Sequence, residues 1–289
     1  MLLLGVGTVL TGLTGLTGCT NTTHPQATPT RSSSQSATMP SPPSSPAPAL
    51  PAVTQWQPSS NDIDPACKLA AVRRIEQLGN SQFSALQVID AQYGGILPAK
   101  ASVLVVTRSW HLAHGGVHHD GHTFDVRLTR TGRHRWRVTA IHPSHPGLPA
   151  RHLTGAARRV LANQRIDLPP AARRDVRSGK VHDSVLRAML ELATTYHVGV
   201  SVVRSGHPIR VFGTARLSDH PRGRAFDTWR INRHPVVDPG TPKSLVVDYM
   251  HACAAAGSYN VGGPYVLGPA PQWFSDATHH DHVHAGFLT

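Results

Sequence analysis

Two stretches of the sequence hold residue types that bind metal. The first, Ser218-Asp219-His220-Pro221-Arg222-Gly223-Arg224-Ala225-Phe226-Asp227, contains the pattern Ser-x-His-x-x-Gly-x-Ala-x-Asp. The second, His279-His280-Asp281-His282-Val283-His284, contains Asp-His-x-His. Two imidazoles and one carboxylate suffice for a catalytic zinc, which keeps a fourth position for water. His220, Asp227 and His284 are that candidate set. Pro221 and Gly223 allow a loop between His220 and Asp227, so His220 can sit at a loop edge while Asp227 points in from a strand. His284 would come from an adjacent strand. Positions 280, 282 and 284 share one strand face, which brings His282 beside the same site and places Asp281 there only if the strand starts or bulges near it. One histidine among 20 carries little information; the conjunction of the two patterns carries the reading.

The combination resembles the zinc D-Ala-D-Ala carboxypeptidases and related peptidoglycan endopeptidases, with the hedgehog zinc fold as a cousin. The resemblance covers roughly residues 183–289. It implies that His220, Asp227 and His284 bind one zinc ion. Asp281, three before the last ligand, matches the general-base position of the carboxypeptidase branch, and His282 matches the auxiliary histidine of the His-x-His branch. The base assignment therefore stays open, with Asp281 favoured as base and His282 as a transition-state donor. Ser218 would orient a ligand. That family has a Ser-Gly-Tyr-Arg-like stretch ahead of the first ligand, whose Arg contacts substrate. Here the order is Arg204-Ser205-Gly206-His207, so Arg204 can serve only from the end of its strand, or is salt-bridged near the sheet edge. The implied reaction is hydrolysis of peptide bonds in peptidoglycan stem peptides, by water activated on zinc, with carboxypeptidase and endopeptidase both open. The alternative is a zinc-stabilised wall-binding module without catalysis. A phosphoesterase lacks the carboxylate cluster that paired metals need.

The surrounding pattern reads as α+β. Apolar Leu69, Val72 and Ile75 with Gly79 as a stop predict a helix over 66–80. Strands are expected at 101–107, 123–129 and 135–141, a small meander. The link between the first two holds His111, His114, His118, His119 and His122, a loose spacing that suits a solvated hairpin tip better than a metal site. Thr154 caps a helix through Leu161, and Pro169-Pro170 opens a second ending near Gly179. Asp183 caps a longer helix through Tyr196, whose Val185, Leu186, Met189, Leu190 and Leu192 form a broad apolar face. Val198–Val203 reads as a central strand, 209–213 as a hairpin arm, and 223–229 as the strand ending the first metal stretch. Thr241-Pro242 starts a last helix. Residues 257–278 are irregular, rich in Gly and Pro, with Tyr265, Trp273 and Phe274 as an ordered wall. These readings place a helix-and-meander domain at 61–150 and a zinc peptidase-like domain at 151–289.

The N-terminal part points to export. Residues 1–18 are apolar and uncharged and end in Leu16-Thr17-Gly18-Cys19, which resembles the lipobox of bacterial lipoproteins and implies lipidation of Cys19. The departure from that pattern is the lack of Lys or Arg near Met1. Residues 20–60 hold Pro, Ser or Thr at 25 of 41 positions, too polar to bury a core, and read as a stalk. The protein is expected at the outer face of the cytoplasmic membrane, as a monomer acting on peptidoglycan peptides. The remaining thiols, Cys67 and Cys253, could form a disulfide in an oxidising compartment or stay as two buried thiols. Net charge is +12, with no Asp or Glu before Asp62. A basic surface suits an acidic envelope polymer or lipid headgroups. No helix-turn-helix, finger or RNA-binding pattern supports nucleic acid.

Overall fold

Pro at the first turn and Asp64 ahead of it start the first helix, α1 (Pro65–Gly79), with the Asp64 carboxylate accepting from the Cys67 backbone N–H at 3.1 Å. In the computed structural model, which describes residues 49–289, α1 packs on an antiparallel sheet. Its strands are β1 (Ser84–Ile96), β2 (Lys100–Ala113), β3 (Gly116–Asp120), β4 (Thr123–Gly132) and β5 (Arg135–Pro143). The order is β1-β2-β4-β5, with β3 paired to β2. The histidine-rich link is the β2–β3 hairpin, turned at His114 and Gly115, both with positive φ.

The second half contains α2 (Gly155–Ala162), β6 (Ile166–Asp167), α3 (Pro170–Arg177), α4 (Asp183–Thr195), β7 (Val198–Val202), β8 (Ala225–Ile231), β9 (His234–Pro235), α5 (Lys243–Ala255), β10 (Asn260–Gly262), β11 (Trp273–Phe274) and β12 (Val283–Gly286). Its mixed sheet runs β11-β10-β12-β8-β7-β6, with β9 on β8. Thr154 caps α2 as expected. His182, not Asp183, sits at the N-cap of α4, and the Asp183 carboxylate accepts from Thr154 Oγ1 instead. The expected arm at 209–213 is a loop held by a single bridge, Arg210 to Leu217.

Each sheet has its own hydrophobic cluster, and a third cluster of Leu104, Val106 and Val202 joins them. The described residues accordingly form one compact unit, with the antiparallel sheet built before residue 150 and the mixed sheet after it. The expected Cys67–Cys253 disulfide is absent. Each thiol is free and buried in its own cluster, Cys67 under the antiparallel sheet and Cys253 under the mixed one. Burial pushes the Cys67 thiol up to about 12 and Cys253 in the same direction. The signal segment, Cys19 and most of the stalk lie outside the described residues. The stalk's last part lies along the fold: Thr54 and Gln87 exchange two hydrogen bonds, of 2.7 and 2.8 Å. No helix among the described residues is long and apolar enough to cross a membrane.

Candidate metal centre

β8 and β12 are antiparallel neighbours in which His284 lies directly opposite Asp227. That register puts both side chains on one face of the mixed sheet. His220 arrives from the loop before β8. The loop turns at Gly223, whose φ is +70°; a Cβ there would strike the Lys180 carbonyl. Backbone bonds from Gly223 N to the His220 carbonyl (2.8 Å) and from Arg224 N to the Asp219 carbonyl (3.0 Å) close the turn. The glycine of the motif is thus a requirement of the turn.

The three side chains meet. His220 Nε2 is 3.1 Å from Asp227 Oδ1 and 3.2 Å from His284 Nδ1, and His284 Nδ1 is 3.0 Å from Asp227 Oδ1. The other ends are committed. His220 Nδ1 lies 2.8 Å from the Val203 carbonyl, which can only accept, so this nitrogen carries a proton and Nε2 is the atom free to ligate. Asp227 Oδ2 accepts from Gln92 Nε2 at 2.7 Å, and Ser201 Oγ donates to Gln92 Oε1. Two lone-pair atoms and a carboxylate oxygen that converge in a buried space need a cation or a proton between them. Zinc bonds of about 2.0–2.2 Å in tetrahedral geometry place donor atoms roughly 3.3–3.6 Å apart, close to the spacing here. The outer bonds to Val203 and Gln92 are those that orient metal ligands. Donor atoms so placed could hold a metal ion.

Burial and neighbouring charges set the ionisation of these groups. Burial opposes ionisation of Asp227, but His220 and His282 overcome it and hold the carboxyl well below the usual carboxylate range. Burial, aided by His220 and His279, outweighs Asp227 at His284 and brings its imidazole down to about 4, so it is neutral and able to ligate near pH 7.

His282 also faces this space, with Nε2 3.8 Å from Asp227 Oδ1. Burial disfavours a proton on it, yet Asp227 and Asp281 together raise its pKa above the ordinary imidazole value. Asp281 does not line the cavity. Its Oδ1 takes His282 Nδ1 at 2.7 Å, and its Oδ2 takes Lys68 Nζ at 2.7 Å and the Tyr93 backbone N–H at 3.1 Å. The strand begins only at Val283, so Asp281 turns back toward α1 and β1 while His282 turns forward. Burial resists its charge, but Lys68 and then His282 keep it ionised well below the usual range. The expected geometry, with Asp281 at the reacting centre, is therefore replaced by one in which Asp281 holds His282. Arg204 is likewise turned aside. It donates to the Pro146 carbonyl at 2.5 Å, pairs with Asp175 at 3.4 Å, and lines the adjoining groove instead of the metal cavity. Ser218 Oγ accepts from the backbone N–H of His220 at 3.4 Å and makes no bond to the His220 ring.

The cavity at the centre measures about 170 Å³, enough for a few waters, and is walled by Tyr93, Phe274 and His279. His207 stacks on His220 at 4.2 Å and 16°, with Nδ1 2.9 Å from the Pro208 carbonyl. His207, His220 and Asp227 offer donor atoms within 4.8 Å of one another. Nearly parallel rings direct their lone pairs side by side, so His207 serves better as a wall than as a ligand convergent with His220. His280 points elsewhere, accepting from the Ile63 N–H at 3.3 Å.

A second His/Asp group, Asp62, His280 and Asp281, also satisfies simple metal geometry. Lys68 Nζ occupies its centre, paired to both aspartates. None of the five hairpin histidines joins a metal-compatible group among the described residues.

Gln92, Lys68, Tyr93 and Asp90 were not legible as site residues. All four come from the first half of the fold, and no spacing rule connects position 92 to position 227. No family model, curated protein or solved structure matches the chain.

Proposed function

We propose that the protein is a zinc-dependent peptidase that hydrolyses peptide bonds in the stem peptides of peptidoglycan. The observation that carries this reading is the convergence of His220 Nε2, Asp227 Oδ1 and His284 Nδ1 at 3.0–3.2 Å, with the His220 tautomer fixed by Val203. The resemblance of the two motifs to the D-Ala-D-Ala carboxypeptidase family supplies the substrate class. The mixed sheet that carries two ligands on neighbouring strands is consistent with a hedgehog or D-Ala-D-Ala peptidase-like fold for 151–289.

A zinc ion held by these residues would polarise the scissile carbonyl and lower the pKa of water toward ~7. His282 does the proton work. Its Nδ1 is anchored by Asp281, which leaves Nε2 as the atom that takes a proton from the attacking water and returns it to the leaving amine. Asp281, fixed by Lys68 and the Tyr93 N–H, sets the ring's orientation and stabilises its charged form, the role of the carboxylate in a Ser-His-Asp triad. Tyr93 and Phe274 restrict water. The lipobox at Cys19 and the Pro/Ser/Thr stalk fit a lipoprotein held at the outer face of the cytoplasmic membrane.

The competing reading is a wall-binding module in which His282 Nε2 closes the zinc site. The 3.8 Å between that atom and Asp227 Oδ1 is what favours it. The two separate cleanly. Purified wild type should carry zinc and cut muropeptides, while His282→Ala should keep the zinc and lose at least a hundredfold in turnover. Loss of zinc in His282→Ala, with intact muropeptides in wild-type digests, supports the module.

A further inference from the structure

A groove of about 850 Å³ adjoins the candidate metal cavity, and His207, Val211 and Phe212 line both, so the two are immediate neighbours. One wall comes from the antiparallel sheet, with Lys100, Arg127 and His142, and the other from the loop after β7, with Arg204 and Arg210. The single carboxylate in the lining, Asp125, is consumed internally. It takes Arg127 at 2.6 and 2.9 Å and Ser102 Oγ at 2.6 Å. The groove is therefore cationic.

We propose that this groove receives the free carboxylates of an acidic peptide whose scissile bond lies at the metal centre. The inference rests on the peptidase reading and adds what selects the substrate. Arg127 is prepared for the task. Asp125 holds its Nε and Nη2, and its guanidinium lies over the Phe212 ring at 5.2 Å. Nη1 makes no hydrogen bond among the described residues, so a side chain already held in place lines the groove with a donor to spare. Lys100 and Arg210, both exposed, have no carboxylate partner among the described residues. Guanidinium and ammonium groups beside an apolar wall that includes Leu97 and Val211 match a peptide whose apolar backbone is punctuated by carboxylates. The antiparallel sheet thereby acquires a role beyond supporting Gln92 and Lys68.

The test compares two synthetic peptides of one sequence ending in D-Ala-D-Ala, one with free side-chain carboxylates and one with carboxamides in their place. Binding to the full-length protein is followed by calorimetry, and cleavage is followed separately. The acidic peptide should bind roughly tenfold tighter at low salt, with the preference shrinking as salt is added. Lys100→Gln, a surface change, should cut the preference severalfold, and Arg127→Lys should cut it further. Zinc content should be unchanged in both. Equal binding of the two peptides by wild type, or a preference untouched by both variants, overturns the proposal. If both peptides are cleaved with equal efficiency, the groove assignment falls and the peptidase reading stands. If the acidic peptide is preferred in binding but neither is cut, the groove stands and the peptidase reading falls.

Discussion

The molecule contains two buried groups of histidine and aspartate that look alike by distance and differ in where their positive charge comes from. Around Asp62, His280 and Asp281 the cation is built in: Lys68 Nζ sits between the aspartates. Burial works against that ammonium, yet Asp281 and Asp62 raise its pKa and keep it charged. Around His220, Asp227 and His284 no lysine or arginine among the described residues forms an ion pair with the group: Asp227 pairs only with histidines, and Arg216 lines the cavity without pairing to it. Proximity of ligand types is thus a weak criterion. The sharper one asks whether the polypeptide has already neutralised the site. Lys68 already neutralises one group, and on the proposed reading the other is the one that takes up an ion.

The largest effect that would test this contrast is removal of the built-in cation. Lys68→Met leaves two buried aspartates uncompensated and should cost about 3–5 kcal/mol of stability by urea unfolding. Lys68→Ala should also make the protein stabilised by zinc at this second group, as a shift of the unfolding midpoint beyond the wild-type response. A Lys68 variant as stable as wild type would break the comparison.

Next in size is the outer bond to the metal site. Gln92→Leu removes the partner of Asp227 Oδ2 and should weaken zinc binding by about 10- to 100-fold in a competition titration. Gly223→Ala acts through the backbone. It forces a left-handed φ on alanine and a clash with the Lys180 carbonyl, and should cost about 1–3 kcal/mol together with part of the metal affinity.

A pH dependence tests the Lys68 group from another side. Asp90 Oδ2 lies buried without a partner beside the Lys68 group. Burial, with Asp281 adding, outweighs Lys68 and His282 and raises Asp90 to about 7. In the unfolded chain it titrates near ~3.9. The fold therefore holds a proton that the unfolded chain releases, and stability from this group is lost as pH rises from about 4 to 7. Asp90→Asn should match wild type near pH 4 and exceed it in unfolding midpoint at pH 8. A constant difference across that range would contradict the assignment.

Much of the second half was legible in the sequence because its signals are local. The Thr154 cap, the Pro170 helix start, the apolar face of α4 and the β-branched run of β7 each report their own element. The convergence of His220, Asp227 and His284 was legible because motif spacing encodes the loop and strand that carry them. β1 was not. Register shifts at Val88/Asp90 and Tyr93/Gly95 break its alternation, so residues 91–95 are all buried and no period of two survives. Those irregularities are what let consecutive residues serve different neighbours, Gln92 reaching Asp227 and the Tyr93 N–H reaching Asp281 from the open sheet edge. Strand parity put His280 on the ligand face, but parity applies only from Val283 onward, and His280 turns to the Ile63 N–H; the place of Asp281 at the reacting centre came from the family resemblance. The disulfide expectation failed because thiol count and compartment say nothing of which core each helix enters.

The most direct test is zinc content per chain, measured on the purified protein and on matched variants of the two groups. One zinc per chain in wild type, retained in Asp62→Asn and lost in Asp227→Asn, is the expected result. A wild-type protein that takes up no zinc, or an Asp227→Asn variant that keeps it, would contradict the assignment of His220, Asp227 and His284 as the metal centre.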